Sequence, residues 1–211
     1  MLTFVGVGPG DPELVTLKAI RVLRAADAVA YADSGRGGSA AMDIVAPYIE
    51  GKPRCPLAMP MRGGREDWAE AHRAAAETLL DWLDRYERVA YPVLGDPGLY
   101  ATSSYLMRRI APKHPCAVVP GISAVNAMAA CLGVPLVEQG EALTILDRVD
   151  PEKPFPEGNV VVMKCAKHLD ALRAEAVCRT CTSPGTWGWP ANGWALSPTC
   201  RRASPDISRR R

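Results

Sequence analysis

Short β-branched runs alternate with amphipathic stretches from residue 1 to residue 121, and nothing else in the chain restricts its fold as tightly. Leu2–Val7 reads as a strand, and Ala28–Ala32, Arg88–Gly95 and Cys116–Gly121 repeat that apolar pattern. Between them lie helical periods. "ELVTLKAIRVLRAAD" places Leu14, Leu17, Ile20 (or Val22) and Leu23 on one stripe, and "AAMDIVAPYI" and "TSSYLMRRIA" predict two shorter helices. Residues 66–88 carry Trp68, Ala71, Ala75, Leu79, Trp82 and Leu83 on one face, a long helix whose tryptophans are assigned to core packing. Regular βα alternation predicts helices packed on a largely parallel sheet.

Past "VPGIS" the order continues with a helix ("SAVNAMAACLG"), a strand ("EALTIL"), a Pro-rich loop and another strand ("NVVVMK"). The pattern divides the chain into an N-terminal α/β domain over 1–117, a partial C-terminal α/β domain over 118–177, and a tail over 178–211. The tail holds three of the five tryptophans, four prolines, six arginines and one acid, with no visible period. Three readings of it stay open: a disordered or adhesive tail, a basic aromatic contact for nucleic acid, and a coding sequence read out of frame beyond Val177. The tail also contains Cys178 and Cys181, a CxxC pair. Redox or zinc chemistry would need a helix N-terminus or a second ligand pair, and only Cys200 and distant histidines are available. No metal site is therefore expected, and His72, His114 and His168 have no ligand-spaced partners.

A net charge of +2 from 25 basic and 23 acidic residues argues against a nucleic-acid partner. No apolar run is long enough to span a bilayer, and no leader pattern precedes the first strand, so a cytoplasmic protein without membrane association is expected.

Chemistry is indicated by the loops that follow the strands. "GVGPGDP" has evenly spaced Gly6, Gly8 and Gly10, not the spacing of a dinucleotide-binding loop. Pro9 lacks an N–H that a phosphate would want, and Asp11 sets a negative charge where that phosphate would sit. The GK[ST] of a Walker loop is missing. "LGDPGLY" and "VPGIS" also follow strands, so three glycine loops are expected along the carboxyl edge of the sheet, where α/β proteins bind ligands. Such loops suit an uncharged or cationic ligand better than a phosphate.

Together, "VGVGPGDPELVTLKAIRVLRAADAVAY", "LGDPGLY" and "VVPGISA" resemble the tetrapyrrole (corrin/porphyrin) methyltransferase family over residues 1 to 172. The resemblance implies a two-domain tetrapyrrole methylase fold, of the α/β class, with S-adenosylmethionine held in the cleft between domains. "PLAMPMRGGREDWAEAHRAAAETL", "LGDPGLYATSSYL" and "VVVMKCAKHLDAL" look most like the branch that methylates C-20 of precorrin-2 or cobalt-factor II. A precorrin-4 C-11 enzyme and a truncated, inactive relative are the alternatives. Carried over position by position, the resemblance assigns cofactor contacts to Pro9, Gly95, Asp96, Leu99, Ser123, Ala124 and Met163, with Asp96 near the methionine part. It also implies a homodimer, and relatives continue the second domain with further strands and helices where this chain has its tail.

The expected substrate carries several carboxylates, which makes Arg36, Arg62, Arg65 and Lys164 candidate contacts by loop position, and Tyr100 a candidate for touching the ring. No residue identifies itself as a catalytic base.

Overall fold

The computed structural model describes residues 1–35, 38–59, 65–148, 150, 153–154 and 156–163. The assigned tail, Cys178, Cys181 and His168 lie outside them. Contacts divide the chain into two units, Met1–Ala124 and Val125 onward.

The first unit is built on a five-stranded sheet: β1 (Leu2–Gly6), β2 (Ala28–Asp33), β3 (Arg54–Ala58), β4 (Val89–Val93) and β5 (Cys116–Val119). Their spatial order is β3-β2-β4-β1-β5, and every neighbouring pair is parallel. The connecting helices are α1 (Leu17–Ala25), α2 (Ala40–Val45), α3 (Arg65–Arg85) and α4 (Ser103–Ile110). Side chains alternate across the pleat, and β1 and β4 are buried on both faces, which is why they read as continuous apolar runs. On one face Leu2, Phe4, Ala30, Leu57 and Tyr91 pack with Leu79 of α3 and Leu106 and Ile110 of α4. On the other, Val5, Val7, Val29 and Ala90 pack with Ala19 and Leu23 of α1 and Ile44 and Val45 of α2. Each large side chain buried in this way stabilises the unit by about 1.5–3 kcal/mol.

Three local details differ from the sequence reading. The helix expected from Glu13 is interrupted. A 3-10 turn over Pro12–Leu14 is capped by Asp11, which accepts the Glu13 N–H at 2.8 Å. The helix proper then starts anew behind Thr16, whose Oγ1 accepts the Ala19 N–H at 3.1 Å. That shift turns Leu17 outward, 80% exposed, and leaves Ala19 and Leu23 as the buried positions. A strand missed between the second and third helices, β3, contains Pro56; it lies at the sheet edge, where a missing N–H is tolerated. Pro92 lies inside the sheet, but the ladder from β4 to β2 pairs only Val89 and Ala90, so the proline interrupts no pairing on that side.

α5 (Ala124–Leu132), whose first residue closes the first unit, leads in the second to β6 (Leu143–Leu146), which pairs in parallel with β7 (Asn159–Val162). Glu141 Oε2 accepts from the Glu138 N–H and from Asn159 Nδ2, tying the approach to β6 to the start of β7. Met163 continues the ladder, donating its N–H to the Leu146 carbonyl at 2.8 Å.

Candidate functional site

Strand order determines which loops meet. β1 lies between β4 and β5, so the loops that leave their carboxyl ends are neighbours. These are "GVGPGD", "LGDPGLY" and "PGIS", and they contain no lysine or arginine. With Asp11 and Asp96 and no lysine or arginine, these three loops disfavour a pyrophosphate and suit a ligand that is neutral or positively charged.

The loops approach closely because glycine stands where they touch. A Cβ on Gly6 would fall 2.5 Å from Gly121 N, and one on Gly121 would fall 2.2 Å from the Gly95 carbonyl oxygen. No side chain can be accommodated at those separations without backbone movement. The Gly95 N–H donates to the Gly8 carbonyl at 2.6 Å, joining the first and second loops. Gly95 itself has φ +76°, a left-handed backbone that favours glycine, and a Cβ there would make only one ordinary contact, with Ala124 N at 3.9 Å.

Asp96 joins the second and third loops. Its Oδ1 accepts the Gly98 N–H at 2.7 Å and its Oδ2 the Gly121 N–H at 2.9 Å. Three residues on, Leu99 donates its N–H to the Asp96 carbonyl. Tyr100 follows at φ +48°, the only non-glycine residue among those described with a left-handed backbone. Its side chain is 47% exposed. An aromatic residue in that region is strained by roughly 1–2 kcal/mol.

The structure therefore brings Pro9, Gly95, Asp96, Leu99, Tyr100, Ser123 and Ala124 to the loops at one edge of the first unit. Pro9 and Leu99 are half-buried there, Ser123 is buried and Ala124, which opens α5, is exposed. Met163, half-buried at the end of β7, belongs to the second unit. Arg36, Arg62 and Lys164 fall outside the described residues, as does the side chain of Arg65.

One cluster had no sequence signal beyond a helical histidine. His72 on α3 is buried, with Nδ1 2.8 Å from the Trp68 carbonyl and its ring against those of Trp68 and Tyr105 at 3.8 and 5.7 Å. Arg108 lies over the Tyr105 ring at 4.8 Å. His72 Nε2 and Ser103 Oγ are buried without a hydrogen-bond partner among the described residues. Trp68, a half-buried rim residue, and Tyr105, 40% exposed, make this an inter-helix packing cluster.

Fold and loops together define an α/β protein of two units whose ligand edge is glycine-rich yet unsuited to phosphate. Its first 185 residues match the model of the Tetrapyrrole (Corrin/Porphyrin) Methylases, and the chain belongs to that family. The match runs past Val177 and leaves residues 186–211 outside. A precorrin-2 C(20)-methyltransferase of a Sinorhizobium species is 31% identical over 80% of this chain and 75% of its own length. The cobalamin biosynthesis protein CobIJ of Mycobacterium tuberculosis is 36% identical over 67% of this chain, which spans only 30% of that longer protein. Among solved structures, uroporphyrin-III C-methyl transferase from Thermus thermophilus, complexed with S-adenosylhomocysteine, superposes with a TM-score of 0.56 at 22% identity. That likeness covers 82% of this chain and 74% of that one, and bears out the expected tetrapyrrole methylase fold.

Proposed function

We propose that the protein transfers a methyl group from S-adenosylmethionine to C-20 of precorrin-2, or of its cobalt-bearing counterpart, during corrin assembly. The observation that carries this reading is the convergence of three cation-free glycine loops on one sheet edge, in a chain of the tetrapyrrole methylase family. The 31% identity to a precorrin-2 C(20)-methyltransferase supports the choice of carbon and substrate.

When bound, S-adenosylmethionine would supply an electrophilic methyl to the meso carbon, the S–C electron pair staying on sulfur and the displaced C-20 proton passing to solvent. The chain's part is to hold and to exclude water. Gly95 and Leu99 offer bare or half-buried backbone on one loop, Ser123 and Ala124 on the next, and Pro9 a rigid wall without a competing donor. Because these three loops carry no lysine or arginine, a cationic donor meets no like charge from them. Alignment of two reactants in such a setting can contribute about 7–11 kcal/mol. In this reading Tyr100 contacts the tetrapyrrole, and Arg36, Arg62 and Lys164 pair with its carboxylates. The protein acts as a cytoplasmic homodimer.

Calorimetric titration with S-adenosylhomocysteine and methylation of precorrin-2 with a 13C-methyl donor test the proposal. Micromolar binding and label on C-20 are expected. Label on C-11 of a later intermediate would transfer the protein to the precorrin-4 branch, and binding without turnover would mark an inactive relative.

A further inference from the structure

The family resemblance puts Asp96 beside the methionine part of the cofactor, but the structure shows both of its carboxylate oxygens engaged by the protein. We propose that Asp96 is a positioning residue: it clasps the loop after β4 to the loop after β5, and acts on the cofactor only through them. The inference rests on the S-adenosylmethionine reading above.

The geometry calls for a carboxylate. Gly98 and Gly121 each present an N–H, at 2.7 and 2.9 Å, from two different loops. Only an ionised carboxylate offers acceptors at both ends; an amide would satisfy one N–H and turn its own donors toward the other. Both bonds are charge-assisted, which makes them stronger than ordinary amide contacts. The surroundings are shaped for the clasp. A Cβ on Gly98 would come within 3.0 Å of Oδ1, so the bare α-carbon there lets the carboxylate reach the amide. Gly121 packs so closely on Gly6 and Gly95 that its loop has no room to move toward them, which fixes the N–H that Oδ2 accepts. Gly95 and Leu99 lie on one side of this clasp, Ser123 and Ala124 on the other. Opening it would therefore loosen both halves of the edge at once.

The test uses two ligands and the full chain. S-adenosylhomocysteine carries an ammonium and a carboxylate; 5′-deoxy-5′-methylthioadenosine keeps the nucleoside and sulfur and lacks both. A clasp predicts that Asp96→Asn weakens the two ligands alike, each by about tenfold. A direct contact to the ammonium would weaken S-adenosylhomocysteine alone, and that result would overturn the proposal. Amide hydrogen exchange of the ligand-free protein gives an independent readout. Gly98 and Gly121 should be protected in the parent and exchange faster in Asp96→Asn; unchanged exchange at Gly121 would also overturn it. If the parent binds neither ligand, the cofactor reading fails while exchange still decides the clasp. Should Asp96→Asn not fold, Gly98→Ala crowds Oδ1 and leaves the charge intact. A uniform loss for both ligands is then expected, and full retention of binding would count against the clasp.

Discussion

Single residues at the sheet edge make the sharpest predictions. Gly121→Ala places a methyl 2.2 Å from the Gly95 oxygen, and an overpacked site of this kind costs about 1–3 kcal/mol, read as a lower denaturant midpoint. Tyr100→Gly should behave in the opposite way, raising stability by about 1 kcal/mol because glycine accepts φ +48° without strain. If Tyr100 faces the tetrapyrrole, the same variant raises KM for that substrate and leaves cofactor affinity unchanged. Far from the edge, Arg88 bonds Asp27 through its guanidinium and its backbone N–H, and this holds the Asp27 carboxyl below its ordinary value of 3.8. A depressed carboxylate stabilises the folded state above that ordinary value, and its contribution is lost as pH falls through the lowered one. Asp27→Asn should accordingly flatten the acid limb of a stability–pH curve below pH 4, while leaving its neutral part parallel to the parent's. Glycine spacing and the absence of a Walker lysine were legible in the sequence at this scale. The clasp was not, because Asp96 and Gly121 are 25 residues apart and meet only after β4 and β5 have flanked β1.

At the scale of elements, legibility followed burial. The strands buried on both faces were continuous apolar runs and announced themselves, and α3 showed its stripe down to Leu79 and Leu83. The stripe as read also gave Trp68 and Trp82 to the core, whereas both are half-buried at its rim, Trp82 against Tyr86 at 5.2 Å. Aromatic bulk at the border of a face is indistinguishable from bulk within it when only spacing is known. The first helix misled for a different reason: the period ran smoothly through Val15 and Thr16, and only the cap at Thr16 shows where helical backbone begins. Thr16→Ala should lower stability by about 1 kcal/mol, checked by thermal unfolding. Leu79→Ala, at a fully buried position of α3, should cost about 2–5 kcal/mol in the same thermal unfolding. β3 escaped notice because Pro53 and Pro56 speak against a strand; its place at the edge of the sheet removes the objection.

For the whole molecule, alternation of strands and helices conveyed the fold class, and the loop motifs conveyed the family. Order within the sheet was out of reach, since any permutation of five parallel strands satisfies the same alternation. The tail beyond Val177 remains the one segment at odds with the rest in composition. Its out-of-frame reading predicts that one inserted or deleted base near codon 177 restores strand and helix periods in the gene, and sequencing that stretch is the check. The position of β1 in the middle of the sheet has a consequence in time. Leu2–Gly6 leaves the ribosome well before its partners, residues 89–93 and 116–119. At ordinary rates of synthesis the strand waits roughly 5–25 s for the second of them. During that interval a short, largely apolar segment is exposed to the cell. Yield of soluble protein should thus depend on translation speed and chaperone supply more than on the stability of the finished fold.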